Sequence, residues 1–249
     1  MSLCNLSRVS SSDIQKMGSC ASIPQPLIIN DIDTLRRHIE YCKQTNEFER
    51  IKREFREKNI IDAHDILTTG TGPFNVFASM VTGNIPNKVD QSILGVHADK
   101  FMVCHNRPIN DEKWDDPTFD GGSMAGPDAN GPGHVFITTK DLHVDTFNVL
   151  PIILNKNIVF LREILEAALE YARNRGWSNP GFYFHCYPLN SVQSLHLHVI
   201  NMDRLGHMFD KKRRANLSIY DAISMGTSLS IGYRSTSLRP SRAHPRVGP

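Results

Sequence analysis

The stretch Ser194-Leu195-His196-Leu197-His198-Val199-Ile200 decides how this chain is read. In an extended strand successive side chains point to opposite faces, so Ser194, His196 and His198 share one face and Leu195, Leu197 and Val199 the other. The apolar face anchors such a strand in a core. Two imidazoles side by side on the opposite face suit packing poorly, because each needs hydrogen-bond partners when buried and both titrate near neutrality. The pair therefore reads as a functional site, and two chemistries are open to it. In the first, both rings ligate zinc or iron and a third ligand comes from His185, His207 or Asp203. In the second, one neutral imidazole attacks phosphorus while its neighbour and backbone amides stabilise the developing charge. The pair alone does not choose between them.

Working outward, 182–187 is expected to be a strand that leads into the histidine strand through a turn holding Pro188 and Asn190. Upstream, Asn157 to Arg175 places Ile158, Leu161, Leu165, Ala168, Leu169 and Ala172 on one helical stripe. Gly176 supplies the stop, and Arg173 and Arg175 suit the carbonyl end of the helix dipole. His134 to Thr139 reads as another strand. Two short apolar runs, 93–97 and 101–105, separated by Ala98, Asp99 and Lys100, read as a hairpin. The Gly, Pro, Asp and Asn-rich stretch 106–132, with its lone Trp114, is a long loop read as a lid.

The segment from Thr34, taken as an N-cap, to Lys58 carries Leu35, Ile39, Cys42, Phe48, Ile51 and Phe55 near helical spacing. It predicts one long amphipathic helix or two shorter ones. Glycines and prolines across 62–91 predict loops around a short helix. The run Thr69-Gly70-Thr71-Gly72-Pro73 is no phosphate loop, because no glycine is followed by lysine and a hydroxyl residue.

Composition bounds the function classes. At 249 residues, 40% hydrophobic and 22% charged, the chain can bury one good core, or one core with an appended subdomain. No run is long and apolar enough for a membrane span, and the first residues lack the apolar segment of a secretory signal, so the expected address is cytoplasmic or nuclear with no membrane partner. Five scattered cysteines without a C-x-x-C pair predict reduced thiols rather than a disulfide framework or a zinc finger. A net charge of +2 does not demand a polyanionic partner.

The order of these pieces resembles the histidine-triad (HIT) superfamily from Ser92 to Asp203. The family motif is His-φ-His-φ-His-φ-φ, with φ apolar, and 194–200 fits it except that Ser194 stands at the first histidine. The family's Pro-Gly-His-φ-φ-φ-φ-x-Lys strand looks like Pro132-Gly133-His134 running to Lys140, and a helix intervenes before the motif, as in the family. The runs His196-Leu197-His198-Val199-Ile200-Asn201-Met202-Asp203 and Gly181-Phe182-Tyr183-Phe184-His185 are similar to the aprataxin-like branch.

The resemblance implies that His196 is the nucleophile, forming a transient nucleotidyl-histidine that water resolves. It further implies that His198 binds or polarises the phosphate and that His185 lies near the leaving group or the second phosphate substituent. His134, Ser191, Ser194 and Lys140 would add contacts to the substrate phosphate. No metal and no cofactor are implied. The expected activity is that of a nucleotide hydrolase or nucleotidyl transferase acting on a phosphoanhydride, phosphoramidate or adenylylated substrate. The partner is then a nucleotide or other phosphorylated small molecule. Nucleic acid is the weaker expectation, since no cysteine follows Cys186 and the branch's zinc finger has no counterpart. A homodimer is compatible with the family. The alternatives are a metal-dependent His-x-His enzyme, or a HIT-like pocket recruited to a non-nucleotide metabolite.

The expected fold is α+β and HIT-like: an antiparallel sheet of about five strands with a packed helix and an N-terminal helical extension. The expected organisation is a flexible leader over 1–30, the helical extension over 31–91, the catalytic domain over 92–231 and a basic flexible tail over 232–249.

Overall fold

Asp31 starts the first helix, α1 (Ile32–Gln44), by accepting hydrogen bonds from the N–H groups of Asp33 and Thr34 at 3.1 and 2.9 Å. The cap thus falls at Asp31 and not at Thr34. Asn46, at φ 50°, sits in the left-handed region that a right-handed helix cannot pass through, so the amphipathic segment becomes two helices, α1 and α2 (Glu47–Glu57). The computed structural model describes residues 31–70, 75–87, 89–105, 133–204, 209 and 212–235. The expected leader over 1–30, the 106–132 loop with Trp114, Pro132, His207 and the tail after residue 235 lie outside the described residues.

A short helix, α3 (Val76–Val81), occupies the apolar patch of the 62–91 region, as its composition predicts. The expected strand at 93–97 is not formed. Residues Gln91–Asp99 instead make two 3-10 turns: Asp90 caps the first through the N–H of Ser92, and Gly95 kinks the chain at φ 54°. That conformation favours glycine, and a Cβ there would stand 2.8 Å from a carboxylate oxygen of Glu170. No extended run can pass through such a residue.

Among the described residues the sheet has five antiparallel strands: β1 (Phe101–His105), β2 (His134–Thr139), β3 (Pro180–His185), β4 (His196–Asn201) and β5 (Asn216–Ser218). Their order is β1-β2-β4-β3-β5. The histidine strand β4 is therefore central, flanked by the two strands closest to it in the sequence pattern. The fifth strand is the short β5 and not the expected 93–97 run. The architecture is α+β.

One face of the sheet is apolar. Val135, Ile137, Leu197, Val199, Phe184 and Leu217 are buried there, packed with Leu161, Ile164, Ala168 and Tyr171 of α5 (Ile158–Asn174). Asn157 caps α5 through the N–H of Phe160, and Gly176 at φ 68° follows its last turn, at the stop the sequence predicts. Two helices went unforeseen: α4 (Val149–Leu154) and α6 (Ile219–Ser235). Helix α6 packs on α5, α4 and α1. The same buried cluster includes Leu35 and Ile39 of α1, Phe55 of α2 and Phe147, whose ring meets Phe55 edge-on at 5.1 Å. The helical extension and the sheet thus share one core. The helix continues to Ser235, past the expected start of the tail at 232.

Asn148 joins these layers. Its Oδ1 accepts the N–H of Leu150, capping α4, and the N–H of Tyr187, while its Nδ2 donates to the His185 carbonyl at the end of β3. Asn148→Ala removes three bonds at a buried position. It is expected to lower unfolding free energy by about 2–4 kcal/mol in denaturant titration, because two backbone donors and a carbonyl lose their partner.

Candidate functional site

Directly paired residues of an antiparallel sheet share a face. Thr138 pairs with His196, Phe136 with His198 and His134 with Ile200 across β2 and β4, while Tyr183 pairs with His198 across β3 and β4. His185, two residues after Tyr183, joins the same face and pairs with Asn216 of β5. The sheet thus brings four histidines together on the face opposite the α5 core. The His185 and His198 ring centroids are 4.3 Å apart, His196 and His198 5.1 Å, and His134 and His198 5.0 Å. His134, His196 and His198 are buried at 3%, 9% and 6% exposure, and His185 is partly buried.

Each ring is oriented by a hydrogen bond. His196 Nδ1 lies 2.9 Å from the Ser194 carbonyl. A carbonyl only accepts, so Nδ1 carries the hydrogen and the Nε2 of neutral His196 keeps its lone pair. His185 Nε2 lies 3.1 Å from Asn216 Oδ1. His134 Nε2 and His198 Nδ1 are 3.0 Å apart. That last bond can be made with the hydrogen on either ring. With the hydrogen on His198 Nδ1, Nε2 is an acceptor; with it on His134, the Nε2–H of His198 is a donor aimed away from the pair.

His185, His196 and His198 are neutral at physiological pH. Burial is the main cause in each case and pushes His196 down to about 4 and His185 down to about 3; neighbouring histidines add to the shift, and Lys212 adds to that of His185. His198 is held well below its ordinary value by burial and by the surrounding rings.

The other expected site residues are distributed unevenly. Ser194, 2% exposed, accepts the Phe77 N–H at 3.2 Å and so holds the start of α3 over the site. Phe77 in turn stacks on His196, with ring centroids 4.6 Å apart. A small side chain at position 194 thus seats an aromatic ring on His196. Ser191 lies exposed on the loop before β4. Lys140 follows the end of β2, exposed, and its amine donates to the Ala98 carbonyl, away from the histidines. Asp203 is exposed and accepts from Asn179 and Ser178 on the neighbouring turn.

Besides Phe77, three neighbours escaped the sequence reading. Tyr183 stacks on His198 at 4.3 Å, Phe136 meets the same ring edge-on at 4.9 Å, and Asn216 orients His185. Phe136 and Tyr183 were within reach of the period-two rule, since they share faces with His134 and His185; Asn216 had no local signal. Tyr183 also walls a cleft of about 290 Å³ with Gly181, Ile200, Met202, Phe209 and Arg213.

Comparison with known proteins gives no matching family model, no matching curated protein and no matching solved structure. No helix among the described residues is long and apolar enough to cross a membrane.

Two measurements check this geometry. Ser194→Ala leaves the buried Phe77 N–H without its acceptor and is expected to cost about 1–3 kcal/mol of stability. The NMR signals of α3 should shift and broaden with it. The buried histidines also set an acid limit. A histidine with a folded-state value below its ordinary 6.5 binds fewer protons folded than unfolded, so its contribution is complete above pH 6.5 and is lost as pH falls toward the folded value, about 4 for His196. Stability should fall across that window by about 1.4 kcal/mol per pH unit for each such histidine, and His196→Gln should flatten the slope.

Proposed function

We propose that the chain is a nucleotidyl hydrolase or transferase of HIT type, with the HIT-like fold, and that His196 Nε2 is its nucleophile. The observation that carries this reading is the bond from His196 Nδ1–H to the Ser194 carbonyl. It fixes the tautomer whose Nε2 lone pair is available, and burial keeps that lone pair unprotonated down to about pH 4. The sequence resemblance described above supplies the reaction class.

In the first step Nε2 attacks the α-phosphorus of the substrate. A nitrogen–phosphorus bond forms, and the bond from phosphorus to the leaving group breaks, its electron pair leaving with that group, which takes a proton from solvent. In the second step water attacks the same phosphorus, the nitrogen–phosphorus pair returns to Nε2, and a proton is released. His198, with the shared hydrogen on His134, presents its Nε2–H to a non-bridging phosphoryl oxygen. His185, held by Asn216, stands on the side of the leaving group. Phe77 limits the motion of the His196 ring and, by covering one face, excludes water from it.

The remainder of the substrate fits the cleft beyond Tyr183. Tyr183 and Phe209, with ring centroids 5.6 Å apart, offer aromatic walls for a base, and Arg213 at the exposed rim offers a counter-charge to a second phosphate.

The test is single-turnover reaction with a panel of adenylylated amines, dinucleoside polyphosphates and acyl or nucleotidyl adenylates. An acid-labile nucleotidyl adduct should map to His196 by mass spectrometry. His196→Ala should abolish the adduct and lower turnover by at least about 10³-fold. His134→Phe, which removes the partner of His198 Nδ1, should lower the rate of adduct formation with little change in substrate affinity. Turnover of none of these compounds, or turnover untouched by His196→Ala, sinks the reading. In the acid range, the limb of the rate profile should fall below pH 5 rather than at the ordinary histidine value, because His196 titrates at about 4.

A further inference from the structure

We propose that His185, His196 and His198 form a binding site for one divalent transition-metal ion, with Zn²⁺ the fitting ion. One ring nitrogen from each lies within 4.8 Å of one from each of the others. The rings are carried by two paired strands in mid-sheet and not by a loop, so backbone pairing holds the cluster together.

The hydrogen bonds around the cluster have the form that imidazole ligands need. A ligating histidine binds metal through one nitrogen and donates through the other, which fixes its tautomer and orientation. His196 donates from Nδ1 to the Ser194 carbonyl, His185 from Nε2 to Asn216 Oδ1, and His198 can donate from Nδ1 to His134 Nε2. The nitrogens left over are His196 Nε2, His185 Nδ1 and His198 Nε2.

A second, independent mark is His198 Nε2, which is buried and has no hydrogen-bond partner among the described residues. A buried polar atom without a partner carries a desolvation cost that a bound ligand relieves. In one tautomer of the His134–His198 bond this atom is a lone pair, which only a donor or a cation satisfies.

The donor set selects the ion. Three neutral imidazoles suit zinc, copper, nickel or iron and not magnesium or calcium, which take oxygen ligands. Zinc–nitrogen bonds of roughly 2.0–2.1 Å draw the three donors closer than they now stand, by small ring rotations, and leave a fourth tetrahedral position for water or a ligand oxygen. Metal binding stands independently of the nucleotidyl reading. One consequence does rest on that reading: the ion takes the His196 lone pair that attack requires, so Zn²⁺ occupancy inhibits turnover.

The test uses the full chain after treatment with a chelator. Titration with Co²⁺ should give one equivalent bound with the visible d–d absorption of a four- or five-coordinate ion, and Zn²⁺ should displace it. His185→Gln and His198→Gln should each weaken binding by at least about 100-fold, and His134→Phe, which removes only an orienting partner, by about 10–100-fold. The thermal midpoints of the metal-free variants report whether they fold. Wild-type protein supplies a readout that needs no variant: on adding Zn²⁺, the ring resonances of His185, His196 and His198 should shift while that of His38, a buried residue of α1 bonded to the Tyr187 carbonyl, stays fixed. Absence of stoichiometric binding by the wild type, or affinity unchanged in folded His185→Gln and His198→Gln, overturns the site. Binding without turnover of any nucleotidyl substrate overturns the nucleotidyl reading and leaves the site standing.

Discussion

The structure depends on the pairing that places β4 between β2 and β3. Because side chains alternate along a strand, one register sets both faces of the sheet at once. The ladder that lines up Phe136, His198 and Tyr183 also sends Leu197 and Val199 into the core against α5. A slip by one residue would bury the histidines under the helix and turn the leucines outward. The apolar side chains therefore hold the imidazoles in place, although they never touch the chemistry. The roof of the site follows from the same strand, since Ser194, just before β4, seats the first turn of α3 and its Phe77 ring.

Desolvation is the second organising force, and it separates the nucleophiles of this chain. Burial penalises whichever form is charged. For a thiol the reactive form is the anion, so burial disarms it: Cys42 and Cys104 are pushed up to about 12 and Cys186 is raised as well. Cys104 lies on the histidine face, paired with Phe136, where burial disfavours its thiolate. For an imidazole the reactive form is neutral, so the same burial favours it. A dry, aromatic-walled face with four histidines is thus a workable place for nitrogen chemistry near neutral pH and a poor one for thiolate chemistry.

The tautomer of one pair links the two uses inferred for the site. The hydrogen between His134 and His198 can reside on either ring, and its position turns His198 Nε2 from donor to acceptor. A phosphoryl oxygen calls for the donor and a metal ion for the acceptor. The choice needs no movement of the backbone and little of the side chains, because both states keep the 3.0 Å bond.

Local pattern was enough for those elements whose signals lie within a few residues of one another. Alternation marked β2, β3 and β4, the apolar stripe with Gly176 marked α5, and the charge-rich amphipathic run marked α1 and α2. The run 93–97 misled because its apolar residues look extended, whereas Gly95 takes a positive φ and Asp90 caps a turn. Helix α6 escaped notice because Gly226 and its Ser and Thr residues are weak helix formers, and packing on α5 and α4 outweighs that propensity. By itself the sequence determined that two histidines share a strand face opposite an apolar one, since that needs only the period of an extended chain. Tertiary structure alone decided that His134 and His185 converge on them, that Asn216 sets the tautomer of His185, that Lys140 turns to Ala98, and that Phe77 closes over His196. Those contacts join residues far apart in the chain, and only the register of the folded sheet and the packing of the helices on it can specify them.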